Sequence, residues 1–289
     1  QRFGDSVIHE IPPNGQGIAA LIALGILEKF DLASLPVDST ASQHLQIEAM
    51  KLAFADVYRY VSERSTMEVT TEQMLDDAYL ASRARLIDMR RAQDFQAGNP
   101  VKGGTIYLTA ADENGMMVSF IQSNYMGFGS GCVEPHYGIS LQNRGYGFSL
   151  DAASPNVVAP GKRPFHTIIP AFLTKDGQPV MSYGVMGGNM QPQGHMQTLV
   201  RMLDYRQGLQ AACDAPRWRF NKGLNINVEA AMNAATVQGL KDLGHEIDVI
   251  NDSYQDFGAG QFIWRAGNPA VEGYVAASDP RRDGLAAGY

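Results

Sequence analysis

The chain has 289 residues, of which 45% are hydrophobic and 18% charged, and its formal net charge is −7. This composition is typical of a globular protein that buries one large core or two modest ones, and the negative charge disfavours binding to phosphate backbones. No run of about 18 consecutive apolar residues is present, as a membrane-spanning helix would require. Neither nucleic acid nor a membrane is therefore expected as a partner.

The first hundred residues are predicted to be helical. Residues 16–30 are almost wholly apolar, which indicates a buried helix, and residues 42–62 place apolar side chains on one helical face. Residues 71–92 form a third, more polar segment of the same kind. The segment Asn14-Gly15-Gln16-Gly17 is similar to a phosphate-binding loop, but no strand is evident before it, so it is predicted to cap the first helix.

After Pro100 the pattern changes to short β-branched and aromatic runs separated by turn signals. Asn114-Gly115 predicts a hairpin between residues 105–112 and 116–121. The other predicted elements are a hairpin of residues 165–173 and 179–186, helices over 195–206 and 230–243, and strands over 246–250, 260–265 and 271–276. Strands joined by hairpins, with helices before and after them, favour an α+β layered domain over alternating βαβ units.

The two cysteines, Cys132 and Cys213, show neither metal-ligand spacing nor a dense framework. They are predicted to be buried thiols of a reducing compartment, which slightly favours a cytoplasmic location, and a disulfide between them is the alternative. The chain begins with Gln1 and shows no signal-peptide pattern, so we expect it to start after processing or partway through a longer protein.

The junction Gly103-Gly104-Thr105 precedes the apolar, β-branched run of residues 106–111. Cleavage of the bond between Gly104 and Thr105 would leave Thr105 with a free amine beside its hydroxyl. A weak nucleophile would then carry its own general base, which suits amide cleavage. The alternative is an ordinary Gly-Gly turn before a strand.

Other catalytic patterns are not evident. The six histidines show neither an HExxH motif nor paired i,i+4 spacing, so no metal site and no cofactor are expected. No Gly-x-Ser-x-Gly segment is present, which disfavours an enzyme with a Ser-His-Asp triad.

Several runs along the whole chain resemble the C-terminal half of γ-glutamyltranspeptidase-family proteins, which are N-terminal nucleophile hydrolases. These runs are PPNGQGIAAL (12–21), LQIEAMKLAFAD (45–56), TIYLTAADENGMMVSFIQSN (105–124), GFGSG (127–131), PGKRPFHTIIPAF (160–172), GVMGGNMQPQGH (184–195), DAPRW (214–218) and SDPRRDG (278–284). They occur in the order in which the family has them.

The resemblance implies a four-layer αββα sandwich made as a precursor that cuts itself once before a threonine. The matching threonine is Thr105. Residues 1–104 would be the C-terminal part of the large subunit, and residues 105–289 would be the small subunit. The implied partners are the remaining large-subunit segment, in a heterodimer or a dimer of heterodimers, a small-molecule amide substrate and an amine acceptor.

The resemblance also implies roles for individual residues. Thr105 would attack first the carbonyl of Gly104 and later the substrate amide, forming an acyl-enzyme that water or an amine resolves. Gly187-Gly188 matches the family's oxyanion-hole pair, whose backbone N–H groups must approach a developing negative charge, and an ordinary turn is the alternative. Ser123 matches a hydroxyl that assists the nucleophile, although a half-exposed strand serine would give the same pattern.

The substrate pocket departs from the family's γ-glutamyl pattern. The aspartate that binds the α-amine is replaced by Gly147, and two serines that bind the α-carboxylate are replaced by His166-Thr167. A glutamine and an asparagine of that site align with Arg144 and Tyr125. Arg144 is suited to bidentate pairing with a carboxylate, although His166 and Arg144 as exposed loop residues are the alternative.

Three hypotheses about function follow. The first is an autoprocessing amidase or transpeptidase of the γ-glutamyl transfer class. Within it, the altered pocket favours a carboxylate-bearing amide without an α-amine, resembling the substrates of the family's glutaryl acylases and oxamate hydrolases. The second is a degenerate member that binds without catalysis, and the third is a carboxylate-binding or scaffolding module.

Overall fold

The structure is a computed structural model that describes residues 1–95 and 104–289. Its helices are α1 (Ile18–Leu27), α2 (Thr40–Tyr60), α3 (Thr71–Met74), α4 (Asp77–Ala84), α5 (Met190–Leu203), α6 (Leu209–Asp214), α7 (Ala234–Asp242) and α8 (Ser253–Asp256). Its strands are β1 (Arg2–Phe3), β2 (Ser6–Glu10), β3 (Gly104–Ala111), β4 (Met117–Tyr125), β5 (Val133–Glu134), β6 (Ile139–Ser140), β7 (Ala171–Lys175), β8 (Gln178–Met186), β9 (Trp218–Lys222), β10 (Asn225–Glu229), β11 (Glu246–Ile250), β12 (Ala259–Arg265) and β13 (Tyr274–Ser278). Gly103, the first residue of the predicted cleavage motif, lies outside the described residues.

Six antiparallel strands form the main sheet, in the order β1-β2-β7-β8-β12-β13. Its first two strands come from the start of the chain, so the prediction that the first hundred residues are helical is wrong at residues 2–10. In β2, Ser6 and Ile8 are buried, and Ile8 pairs with Leu173 of β7. A strand of five residues is too short for its alternation to be distinctive in sequence.

Helices cover one face of the main sheet. Every residue of α1 is buried, and this helix packs against α2, α4, α5 and the first two strands. The continuous helix predicted over 71–92 is instead two short helices, α3 and α4, and α4 ends at Ala84. The break occurs because Asp76 caps a new helix by accepting a hydrogen bond from the Tyr79 N–H.

A two-stranded ribbon, β3 and β4, packs on the opposite face of the main sheet. The predicted Asn-Gly hairpin is confirmed, and Gly115 takes the positive φ of +87° that its turn requires. The Tyr107 ring lies over Gly184 of β8, where a Cβ atom would be 2.5 Å from the ring. Tyr183, the neighbouring residue of β8, instead faces His195 of α5. Successive residues of β8 therefore contact the two different layers.

The hairpin of β7 and β8 is confirmed, and Asp176 and Gly177 both have positive φ in its turn. The helix predicted over 195–206 begins earlier, because α5 starts at Met190, directly after the turn at Gly187 and Gly188.

The helix over 230–243 and the strand over 246–250 are also confirmed, but β9, β10 and α6 were not predicted. β10 and β11 pair in parallel across α7, so one βαβ unit lies beside the antiparallel strands. Such a unit buries a helix and a strand together, and its short strands do not alternate cleanly in sequence.

The cysteine prediction is half right. Cys213 is buried, as expected, whereas Cys132 is exposed, and both are free thiols rather than a disulfide. Among the described residues, none of the helices has the length and apolar character needed to cross a bilayer. The α+β class predicted for the chain is confirmed.

Candidate active site

Thr105 lies near the start of β3, where the pairing with β4 is irregular. Ser123 and Asn124 both lie opposite Thr105, because the register shifts between Gly104 and Ile106. A bulge of this kind re-aims side chains. The Thr105 hydroxyl donates a hydrogen bond to Ser123 Oγ, 3.3 Å away. Thr105 is half-exposed, so the two hydroxyl residues that the sequence paired lie together within reach of a ligand.

The backbone at Tyr125 holds the Ser123 hydroxyl in place. The Tyr125 N–H donates a hydrogen bond of 2.8 Å to Ser123 Oγ. Tyr125 has a φ of +79°, a left-handed conformation that is uncommon for a residue other than glycine. This conformation ends β4 and turns the buried Tyr125 ring towards Arg144, whose guanidinium carbon lies 5.3 Å from the ring centroid.

Arg144 carries a buried positive charge, so the interpretation of this residue as an exposed loop residue is wrong. The residue is only 6% exposed, and Nη1 donates a 3.2 Å hydrogen bond to the Thr167 hydroxyl. Nη2 is buried and has no hydrogen-bond partner among the described residues, and none of their carboxylates affects the pKa of Arg144, which only the Tyr125 phenol raises. Burial lowers the pKa of Arg144, but a guanidinium remains charged at neutral pH. Buried charges are normally paired, whereas this cation has no anionic partner within residues 1–95 and 104–289.

Gly147 excludes an acidic side chain by shape as well as by composition. A Cβ atom at this position would lie 2.8 Å from the backbone oxygen of Phe165. The Asn156 side chain fixes this approach, because its amide nitrogen donates to the Gly147 oxygen and its amide oxygen accepts from the Phe165 N–H. An aspartate here would require the backbone of this wall to move.

His166 and Thr167 directly follow Phe165, and Thr167 is buried. The His166 N–H donates to the Asn14 oxygen, and the His166 oxygen accepts from the Gln16 N–H, so the residue is held by its backbone. Its half-buried ring is neutral at pH 7, because burial, with a smaller effect from the Arg144 charge, lowers the pKa of His166 to about 4. Of His166 and Arg144, only Arg144 therefore carries a positive charge at pH 7.

Gly187 and Gly188 connect β8 to the N-terminus of α5. Both have positive φ, +128° and +62°, and a Cβ atom on Gly187 would lie 3.0 Å from the Cα of Gly258. The Gln16 amide nitrogen donates hydrogen bonds to the backbone oxygens of Gly188 and Thr167, at 2.8 and 2.6 Å. One buried side chain thus joins the glycine pair to the Arg144 side of the site. β3 packs on β8, which places Thr105 and the glycines in adjoining layers.

A cleft of about 470 Å³ adjoins these residues. Gly147, Tyr125 and Thr167 contribute to it, together with Asn189, the residue that follows the glycine pair. Its aromatic walls are Tyr58, Tyr125, Tyr146, Phe148 and Phe165. Its volume is in the range of small-molecule sites, and its lining of aromatic rings and a few polar groups suits an organic ligand.

A second titratable cluster lies away from the cleft, between α2 and α7. His44, Glu48 and His245 are buried, and their ligand atoms lie within 4.8 Å of one another. The Lys51 ammonium already donates hydrogen bonds to Glu48 at 2.8 Å and to His245 at 3.3 Å, so an internal cation occupies this cluster. The residues do not favour a metal ion as long as Lys51 is charged.

The sequence did not point to Gln16, Asn156 or Asn189 as part of the site. Gln16 lies in the segment that was predicted to cap α1, and Gly17 does stand at the N-cap position but offers no side-chain cap. The strand that was not evident before this segment is β2. The glycines of the segment 14–17 were the available signal for Gln16. Its partners, however, lie about 150 and 170 residues away along the chain and cannot be inferred from spacing.

The main sheet, with helices on one face and the β3–β4 ribbon on the other, defines an α+β protein with the fold of the N-terminal nucleophile hydrolases. The gamma-glutamyltranspeptidase family model matches residues 1–289. The chain therefore belongs to that family.

Two relatives and one solved structure illustrate the match. The glutathione hydrolase-like YwrD proenzyme of Bacillus subtilis is 36% identical over 97% of this chain and 54% of its own length. The oxamate amidohydrolase proenzyme of Klebsiella pneumoniae is 36% identical over 96% of this chain and 53% of its own. The crystal structure of cephalosporin acylase from Bacillus halodurans is 47% identical, with a TM-score of 0.93, and is matched over 100% of this chain and 52% of that chain. The chain thus spans about half the length of the curated relatives it matches.

Proposed function

We propose that the protein is an amide hydrolase whose nucleophile is Thr105 and whose acyl substrate carries a carboxylate but no α-amine. The observation that supports this substrate class is the buried Arg144, a cation with no acidic partner among the described residues. A bound carboxylate would supply the missing anion, and Thr167, already bonded to Arg144, lines the adjoining cleft.

In the proposed reaction, the bond between Gly104 and Thr105 is first cut, so that Thr105 gains a free amine. The Thr105 oxygen then attacks the substrate carbonyl while its proton passes to that amine. The N–H groups of Gly187 and Gly188 stabilise the oxyanion, and the protonated amine donates its proton to the leaving nitrogen. Water cleaves the resulting ester by the same route in reverse order, and an amine acceptor in place of water would give transfer.

The shape of the site at Gly147 and the charge of Arg144 both disfavour a γ-glutamyl substrate. Gly147 offers no anion to an α-amine, and the Phe165 oxygen leaves no space for an acidic side chain there. Arg144 would place a like charge near a substrate ammonium group, which is unfavourable in a buried site. The relatives named for glutathione and for oxamate are equally identical to this chain, so overall similarity does not choose between them. The buried charge of Arg144 supports the substrate without an α-amine.

The test is a matched pair of chromogenic amides, glutaryl p-nitroanilide and γ-glutamyl p-nitroanilide, which differ only in the α-amine. We expect the purified protein to have a kcat/KM at least about tenfold higher for the glutaryl compound, equivalent to ~1.4 kcal/mol. Thr105→Ala should lose activity on both, and Thr105→Ser should retain part of it. Preference for the γ-glutamyl compound would contradict the proposed substrate class. Activity that survives in Thr105→Ala would contradict the proposed nucleophile.

A further inference from the structure

A fully buried pair of side chains lies behind the strand that leads into Gly187 and Gly188. His195 of α5 accepts a 3.0 Å hydrogen bond at Nε2 from the backbone N–H of Val185 in β8. Its other ring nitrogen, Nδ1, lies 2.7 Å from Glu10 Oε1 at the end of β2. Both side chains are completely inaccessible to solvent. A chain of two hydrogen bonds therefore joins β2 and α5 to a residue two positions before the glycine pair.

The direction of these hydrogen bonds fixes the state of the ring. Nε2 of His195 accepts a backbone N–H and so carries no proton. The ring proton is on Nδ1, from which it is donated to Glu10. In the other tautomer, the Nε2–H would face the Val185 N–H, and neither donor would have an acceptor. Glu10 therefore sets the tautomer that allows His195 to hold Val185.

Val185 lies where β8 extends beyond β7, although β12 still pairs with β8 along its other edge, with Gly260 opposite Val185 and Ala259 opposite Met186. The pairing of β7 with β8 reaches Tyr183, which lies opposite Ala171, and does not continue to Val185. The His195 ring occupies the position at which a further strand carbonyl would accept the Val185 N–H. A backbone N–H that is buried without an acceptor is destabilising, so on its β7 side this strand end depends on the His195 side chain.

Glycines of two other segments press on the same strand end. A Cβ atom on Gly194 would lie 2.6 Å from Val185 Cγ1, and one on Gly258 would lie 2.1 Å from the backbone oxygen of Met186. These close approaches leave the strand end little room to move sideways. The hydrogen bond that the Val185 N–H donates to His195 Nε2 adds a restraint on the edge of β8 that β7 leaves unpaired.

We propose that His195 is a positioning residue for the oxyanion site, acting through Val185, and that Glu10 holds it in the required tautomer. This inference rests on the proposed function, because it takes Gly187 and Gly188 to be the groups that stabilise the oxyanion. The backbone amides of such a site act only when they are aligned before the reaction begins. His195 does not touch the substrate, so its loss should change kcat rather than KM.

Two substitutions separate the hydrogen bonds of the ring. Asparagine carries its amide where histidine has Nδ1, so His195→Asn keeps a donor to Glu10 and loses the acceptor for Val185. Glutamine reaches the position of Nε2, so His195→Gln keeps the acceptor for Val185. We expect His195→Asn to lower kcat by about ten- to a hundredfold with KM unchanged, as small misplacements of catalytic groups do. His195→Gln should stay within about threefold of the unchanged protein.

Both variants are to be compared after complete self-cleavage and alongside their melting temperatures. Equal kcat in the two variants, or losses that follow melting temperature alone, would overturn the positioning role while leaving the proposed function standing. A protein without activity on any of the amides would instead count against the proposed function. The tautomer of His195 in the unchanged protein, measured by ¹⁵N NMR of labelled histidine, gives a result that does not depend on folding of a variant. A proton on Nε2 would overturn the inference.

Discussion

Arg144 should strengthen substrate binding and at the same time lower the stability of the unbound protein. Its guanidinium is buried and has no acidic partner in the part of the chain that the structure describes, so it loses hydration that no ion pair replaces. The carboxylate of a substrate would restore the missing interaction, so the unbound site holds an unfavourable charge that ligand binding neutralises. Residues kept for binding commonly lower stability in this way.

The substitution Arg144→Met tests this opposition. We expect the KM for glutaryl amides to rise by roughly 10- to 100-fold, since hydrogen bonds to charged groups contribute about 1.5–3 kcal/mol. The melting temperature should stay the same or rise, because a buried unpaired charge is removed. Arg163→Met is the control, since Arg163 is exposed and pairs with Glu63. A KM effect of the same size in both variants would contradict the assigned role of Arg144.

Gly147 provides a second prediction at this scale. Gly147→Asp restores the charge of the γ-glutamyl pattern, yet it should not confer γ-glutamyl hydrolysis, because its Cβ would meet the Phe165 oxygen at 2.8 Å. Overpacking of this kind lowers the free energy of unfolding by about 1–3 kcal/mol. Gly145→Asp is the control, since a Cβ atom there has no neighbour within 4 Å. Gain of γ-glutamyl activity by Gly147→Asp with unchanged stability would contradict this prediction, because the backbone at Phe165 would then have moved without cost.

At the scale of elements, the site depends on the contact between the β3–β4 ribbon and β8. The ribbon carries Thr105, and β8 leads into the glycine pair. Gly184 allows the Tyr107 ring to approach, and the Ser119 hydroxyl joins Tyr107 to the Tyr183 oxygen. The proposed nucleophile and the proposed oxyanion glycines are thus on different elements, and the packing of these two layers sets the distance between them.

The α2–α7 contact contains a buried hydrogen bond between His44 and His245, and it should make the fold sensitive to acid. Burial, with the Lys51 charge, lowers the pKa of His245 to about 2 from its ordinary 6.5. Below pH 6.5 the unfolded chain takes up a proton at His245 that the folded protein does not. The contribution of the neutral, buried His245 to stability is therefore complete above pH 6.5 and is lost as the pH falls from 6.5 towards 2. The slope is up to about 1.4 kcal/mol per pH unit for one proton.

Urea unfolding between pH 7 and pH 4 measures this effect. We expect His245→Gln to be less stable than the unchanged protein at pH 7, with a free energy of unfolding that falls less steeply on acidification. The same substitution at exposed His136 is the control. Parallel slopes for all three proteins would contradict a buried, neutral His245.

At the scale of the whole molecule, the division at residue 104 stays a prediction. We expect the mature protein to contain a fragment that begins at Thr105, together with a second fragment that ends at Gly104 and includes residues 1–104. Intact-mass measurement checks this directly, with Thr105→Ala as the uncut control. A single uncut species that nevertheless hydrolyses amides would contradict self-cleavage at this bond. Co-purification of the two fragments would support the expected heterodimer.

Local sequence was sufficient for features that depend on neighbouring residues. The hairpins at Asn114-Gly115 and Asp176-Gly177 follow from turn chemistry, and the buried helix α1 follows from an unbroken apolar run. Motif resemblance brought Thr105, Ser123, Arg144 and Thr167 forward, and hydrogen bonds join two pairs of them, Thr105 to Ser123 and Arg144 to Thr167.

Features that depend on long-range contacts could not be predicted in this way. β2 is five residues long and is defined by its pairing with β7, which lies more than 160 residues further along the chain. The burial of Arg144, the neutral state of His166 and the exposure of Cys132 depend on what other segments place around them.

The sequence by itself determined the family and the chemistry expected of Thr105, because these lie in contiguous residues whose spacing is preserved along the chain. Only the tertiary structure decided the charge and shape of the pocket. The surrounding segments bury the Arg144 charge, and the position of the Phe165 oxygen excludes a side chain at Gly147. Both are properties of the space between segments, and that space exists only once the chain has folded.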